Sequence, residues 1–145
     1  MKDKIFVDTN ILVYAHDLDA GRKYEIASRI IEDLWESETG VISTQVIQEF
    51  YVTVTRKIPL PLSRAQARGI IENYFVWQLE VIRPDTILAA SEIEDRHHLS
   101  FRDSLIVAAA SQAKVMKILS EDFNHGQIIE GILIENPFSV QGAAD

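Results

Sequence analysis

The chain has 145 residues, the length of one domain, with 47% hydrophobic and 25% charged residues, a balance that suits a buried core. No uncharged stretch exceeds ten residues, which excludes a membrane-spanning helix of ~18 or more apolar residues. Cysteine is absent, which excludes a disulfide scaffold, a thiol nucleophile and cysteine-ligated zinc, and accords with a reducing cytoplasm. Asp8 stands where a secretory signal would carry its apolar region, so no leader is expected. The net charge is −8, whereas a protein that holds nucleic acid by bulk electrostatics is ordinarily basic. One basic island breaks the pattern: Arg56, Lys57, Arg64 and Arg68 stand in residues 50–71 with no acid among them.

Residues 5–7 read as a short buried strand ending at Asp8, followed by a helix over 11–16. Over 22–36, Tyr24, Ala27, Ile30, Ile31 and Leu34 fall on one stripe at helical spacing. Gly40 closes that unit, and 41–43 form a second strand. Ser43 or Thr44 then caps a helix to about Lys57, although its β-branched residues would also suit a strand. Pro59 and Pro61 break the chain. Ser63 opens a helix through Trp77, 79–82 make a strand, and 85–97 another helix. A further helix starts at Ser100, and 117–119 and 132–134 are strands. This alternation predicts an α/β domain over 1–138, with helix layers on both faces of a mainly parallel sheet and a disordered tail over 139–145. Ligands of such sheets sit beyond the carboxyl ends of the strands, near a switch in strand order.

Four acids stand near those ends, and each alone has a plain structural reading. Asp8 could cap a helix, Asp122 could make an Asx turn, and Asp103 lies three residues after Ser100 as in a capping box. Glu49 alone would be solvated helix surface. Together they read differently, because a parallel sheet delivers all four to one end. Carboxylates gathered in one cleft repel unless a hard cation neutralises them, and carboxylate with water is what Mg²⁺ prefers. Thr9, Asn10, Ser120 and Asn124 surround the acids with small polar groups that can orient them. Among the remaining candidates, His97 and His98 read as helix-end contacts, and Trp35 and Trp77 as core or interface anchors.

Val7-Asp8-Thr9-Asn10, Gln48-Glu49-Phe50, Phe101-Arg102-Asp103-Ser104-Leu105-Ile106 and Leu119-Ser120-Glu121-Asp122-Phe123 resemble, in this order, the motifs of the PIN-domain nucleases. The resemblance spans roughly residues 4–138. Chains of this length without an added domain are similar to the VapC-like toxins of type II toxin–antitoxin modules. The resemblance implies a three-layer α/β/α fold with a parallel sheet of about five strands, and Mg²⁺- or Mn²⁺-dependent cleavage of RNA. It implies Asp8 and Asp103 as direct metal ligands, Glu49 and Asp122 as acids that can act through water, and Ser120 as the small hydroxyl two positions before the last acid. It also implies a small antitoxin protein as partner and a homodimer, for which apolar patches near Trp77 or Tyr51 are the candidate faces in this chain.

The expected chemistry is hydrolysis of a phosphodiester, with the basic island (Arg56, Lys57, Arg64, Arg68) guiding the RNA backbone. Two other readings stand beside it. One is a catalytically silent binding module on the same fold. The other is an aspartate-dependent phosphatase, since Asp8-Thr9-Asn10-Ile11 is similar to an Asp-x-Asp-x-Thr nucleophile loop, although Asn10 replaces the second acid and no threonine follows.

Overall fold

The computed structural model describes residues 3–139. The tail expected to be disordered lies outside them except for Ser139, whose amide donates to Asn136 Oδ1 at 3.3 Å.

The first strand, β1 (Ile5–Val7), is followed by α1 (Thr9–Tyr14) and α2 (Arg22–Ser37). Next come β2 (Gly40–Ser43), α3 (Thr44–Arg56), α4 (Arg64–Tyr74) and β3 (Gln78–Glu80). The chain continues through α5 (Pro84–His97), α6 (Phe101–Gln112), β4 (Lys117–Leu119), β5 (Ile128–Ile129) and β6 (Ile132–Glu135). The strands form one sheet in the order β3-β2-β1-β4-β6-β5, parallel except for β5. From β1 the chain builds outward through β2 and β3, then returns to lay β4 on the other side of β1. That reversal puts a crevice at the carboxyl ends of β1 and β4.

Burial explains why these segments adopt these forms. Phe6, Val7, Val41, Ile42, Ile118 and Ile134 are inaccessible to solvent, as expected of short strands covered on both faces. In α3, Val46, Ile47, Phe50 and Val54 are buried on one stripe, so packing overrides the strand preference of its β-branched residues. Ser43 caps that helix by accepting from the Val46 amide at 3.3 Å. Helix α6 is buried along Val107, Ala108, Ala109 and Ala110, where small side chains permit close approach to the sheet. Helix α1 packs on α2 and α3, and α3 on α4, whereas α5 and α6 pack on each other; the sheet lies between these groups as the middle of three layers.

Four elements differ from the sequence reading. Helix α1 covers Thr9–Tyr14 rather than 11–16, because Asp8 caps it directly at the end of β1. Helix α4 ends at Tyr74 rather than Trp77, because the chain must turn at Phe75–Val76 to lay the Trp77 ring against Gly40 at the start of β2. Strand β3 ends at Glu80 rather than Ile82, since the Ile82 amide leaves the ladder and donates to Thr44 Oγ1 at 3.1 Å. The sheet has a sixth strand, β5, joined to β6 by the two-residue turn Glu130–Gly131. Both turn residues have positive φ (52° and 78°), the conformation that suits a tight antiparallel hairpin.

Candidate functional site

Asp8 leaves β1 in extended conformation and caps α1, with Oδ1 accepting from the Thr9 amide at 2.7 Å. The capping reading is therefore correct but incomplete, because this carboxylate is wholly buried and carries further partners. Oδ2 accepts from the Ser120 hydroxyl at 2.7 Å, and that hydroxyl accepts from the Asp122 amide at 3.1 Å. Glu49 projects from α3, and its Oε1 accepts from Thr9 Oγ1 at 2.6 Å. Asp122 accepts from Asn10 Nδ2 at 3.0 Å, while Asn10 Oδ1 accepts from the Glu121 amide at 3.1 Å. Thr9, Asn10 and Ser120 thus orient the acids as small polar neighbours should.

Asp103 lies in the first turn of α6, where its amide donates to the Ser100 hydroxyl at 3.1 Å. The carboxylate turns elsewhere and accepts from Arg102 Nη1 at 3.1 Å. Arg102 joins the whole group. Its guanidinium reaches Asp8 Oδ1 at 2.8 Å, Asp8 Oδ2 at 3.2 Å, Glu49 Oε1 at 2.6 Å and Glu49 Oε2 at 3.2 Å. Asp122 Oδ2 stands 3.6 Å from Nη1. The four acids anticipated from sequence therefore surround one cation, whose part in the group no sequence motif reveals. Its signal was local: Arg102 is the only base immediately beside one of the four acids.

The electrostatics follow from this arrangement. Burial works to raise the Glu49 carboxyl, but hydrogen bonds from Arg102 and Thr9 outweigh it and hold the group below its ordinary value. Asp122 is pushed up by partial burial and by the neighbouring Asp8 charge, with Arg102 only partly offsetting both. Burial works against the Arg102 charge, and its bonds to Asp8 and Glu49 more than compensate.

The remaining candidates lie as follows. Asn124 is exposed and contributes only its carbonyl, to the Gln127 amide at 3.2 Å, so it makes no hydrogen bond with the acids. Glu121 faces away from them, accepting from Tyr14 Oη at 2.7 Å and pairing with Lys23. Arg56, Lys57, Arg64 and Arg68 are all exposed. Lys57 lines a cavity of about 670 Å³ that also exposes Thr9, Asn10, Glu49, Arg102 and Asp122, whereas Arg56 lies over the Tyr51 ring at 5.9 Å. His97 joins Arg96 on Glu130, tying the end of α5 to the β5–β6 turn, and His98 closes α5 in left-handed conformation. Trp77 is buried and packs edge-on with both Trp35 and Tyr74, while Trp35 is exposed and tilted against Tyr74.

The donor set suits a hard divalent cation in charge and type, since four carboxylates from four elements already enclose one positive charge. Among the described residues, no three acids converge closely enough to hold a metal ion as they stand. The guanidinium stands between them. No helix of the described residues is long and apolar enough to cross a membrane.

Known structures share this fold. Mycobacterium tuberculosis VapC20, a toxin that cleaves the sarcin–ricin loop, superposes with a TM-score of 0.65 at 24% identity, over 82% of this chain and 92% of that one. A toxin–antitoxin complex from Klebsiella pneumoniae gives a TM-score of 0.68 at 19% identity, over 92% and 98% of the two chains. VapBC2 of Rickettsia felis, bound to a promoter DNA fragment, gives 0.64 at 17% identity, over 91% and 97%. Among curated protein sequences none matches. The family profile described as the PIN domain matches residues 5–129, from the first residue of β1 through the last of β5 and so across all four acids, and the chain belongs to that family.

Proposed function

We propose that the protein is a metal-dependent endoribonuclease and the toxin of a toxin–antitoxin pair. The observation that carries this reading is the convergence of Asp8, Glu49, Asp103 and Asp122 on one cation at the strand carboxyl ends. Asp8 and Asp103 would hold Mg²⁺ or Mn²⁺ directly, with Glu49 and Asp122 completing the site directly or through water. When bound, the ion lowers the pKa of a coordinated water and stabilises charge on the phosphate oxygens. Ser120 and Thr9 hold Asp8 and Glu49, and Asn10 holds Asp122, so the backbone positions of the acids are set and their side chains would have to close on the ion. Lys57 and the cavity it lines offer the approach for the RNA backbone, with exposed Arg56, Arg64 and Arg68 as further positive charge on the chain's surface.

The antitoxin partner, the homodimer and a cytoplasmic location are proposed from the likeness to toxin–antitoxin complexes. A single domain over 1–138 is proposed on the same footing. The phosphatase reading fits the geometry less well. Asn10, which stands where such a nucleophile loop has its second acid, is taken up by Asp122 and the Glu121 amide.

The silent-module reading has one observation in its favour, the Arg102 guanidinium that satisfies the acids within the chain. The deciding experiment incubates purified protein with structured RNA and Mg²⁺, beside an EDTA control, and maps the new ends. Cleavage that leaves 5′-phosphate and 3′-hydroxyl ends and stops with EDTA is expected. Cyclic phosphate ends would overturn the hydrolytic mechanism, and intact RNA would favour the silent module.

A further inference from the structure

The five N–H groups of Arg102 make six hydrogen-bond contacts, one of them shared at Nη2, with Asp8, Thr9, Glu49 and Asp103. Two of its pairings are forked: Nε and Nη2 take the two oxygens of Glu49, and Nη1 and Nη2 the two oxygens of Asp8. Forked pairs of this kind combine charge with geometric fit, which a lysine cannot reproduce. They engage both oxygens of each acid. A cation coordinated by Asp8 and Glu49 must therefore take oxygens that the guanidinium now holds.

The same bonds explain how the acids can be gathered without a metal. A buried carboxylate is costly unless paired, and Arg102 is the only cation that touches Asp8 among the described residues. We infer that Arg102 is a resident counter-ion that holds the four carboxylates assembled and that a divalent cation must displace from Asp8 and Glu49. The inference rests on the metal site proposed above.

The structure gives the displaced side chain a place to go. Arg102 borders the 670 Å³ cavity, and its side chain is 31% exposed on that side. Its carbonyl accepts from Gln45 Nε2 at 3.2 Å, inside α6, so the backbone stays anchored while the side-chain torsions turn. Exchange thus requires movement of side chains and no rearrangement of the fold. Metal affinity is lowered by the work of breaking the forked pairs, and the metal-free protein is stabilised by the same pairs.

The test compares the full chain with Arg102→Met and Arg102→Lys, without RNA, by Mn²⁺ titration calorimetry and by thermal melts with and without Mn²⁺. Without metal, Arg102→Met should melt below the parent protein, because its acids have lost their counter-ion. Its Mn²⁺ dissociation constant should tighten about tenfold, equivalent to about 1.4 kcal/mol. The Mn²⁺-induced rise in melting temperature should grow accordingly. Arg102→Lys, which keeps the charge but not the fork, should fall between the two. Mn²⁺ affinity unchanged or weaker in both variants, with the parent protein binding normally, would overturn the inference and leave the metal site standing. Absence of Mn²⁺ binding in all three proteins would overturn both. Should Arg102→Met fail to fold, Arg102→Lys decides alone: tighter binding than the parent supports the exchange, and equal or weaker binding rejects it.

Discussion

Ser120 and Asp8, which follow neighbouring parallel strands, are joined by a 2.7 Å hydrogen bond from hydroxyl to carboxylate, wholly inside the protein. The Ser120 hydroxyl also accepts from the Asp122 amide, so one small side chain fixes two of the four acids. Ser120→Ala removes a donor to a buried charge and leaves an amide without its acceptor. The expected cost is about 1–3 kcal/mol, read from urea denaturation. RNA cleavage should fall as the Asp122 loop loosens, but less than on loss of an acid. Unchanged stability would mean that water replaces the hydroxyl at no cost.

Asp103→Asn separates the ligand role from the capping role. The Ser100 cap is made by the backbone amide of residue 103 and survives the substitution, and the Asn carbonyl can still accept from Arg102. Four acids around one guanidinium carry excess negative charge, so the metal-free variant should melt within a few degrees of the parent, or above it. Cleavage with Mg²⁺ should drop by a factor of ~10² or more, since positioned metal charge is worth several kcal/mol at the transition state. Asp95→Asn, outside the site, should change neither reading. Full cleavage by Asp103→Asn would remove it from the proposed ligands.

Gly40→Ala tests the packing that ends α4. A β-carbon on residue 40 would come within 2.4 Å of the Trp77 ring, which is itself buried and edge-on to Tyr74. The ring must move, at an expected cost of about 1–3 kcal/mol. Denaturation followed by tryptophan fluorescence measures the loss and the displaced ring together. Pairing Gly40→Ala with Trp77→Leu should cost less than the sum of the single changes, because the clash is then gone. Strict additivity would mean that the two residues do not restrain each other.

His16 gives stability a pH dependence of definite sign. The ring lies between Phe50 and Tyr74, and burial holds its pKa below the ordinary 6.5. Nε2 and the Tyr74 hydroxyl share a 2.8 Å hydrogen bond, and burial keeps that phenol protonated. Below about pH 6.5 the unfolded chain takes up a proton that the folded chain refuses. Stability should therefore be complete above that pH and decline as pH falls through 6.5 toward the lowered folded value. In His16→Gln this component should vanish. Urea melts of both proteins between pH 7.5 and 5.5 measure the difference, and parallel curves would contradict the assignment.

The acids were legible in the sequence because their positions follow from local rules. Asp8 directly follows β1, Asp122 closely follows β4, and a parallel sheet must bring such residues to one end. The helical stripe of α2 was legible for the same reason, since apolar spacing records which face is buried, whereas the β-branched residues of α3 left a strand open until packing decided it. Other features depend on contacts remote in sequence. Strand β5 is only two residues long and exists because the Glu130–Gly131 turn folds it onto β6. Helix α4 stops early because Trp77 meets Gly40, 37 positions before it. Asn124 and Glu121 lie beside Asp122 in sequence, yet Asn124 stays exposed and Glu121 bonds to Tyr14 and Lys23, because the loop's direction is set by Asn10 and Ser120. Above all, the place of Arg102 was a tertiary decision. An arginine beside an aspartate at a helix start could as easily face solvent, and here it lies among four carboxylates because their uncompensated charge, assembled by the sheet, draws it in.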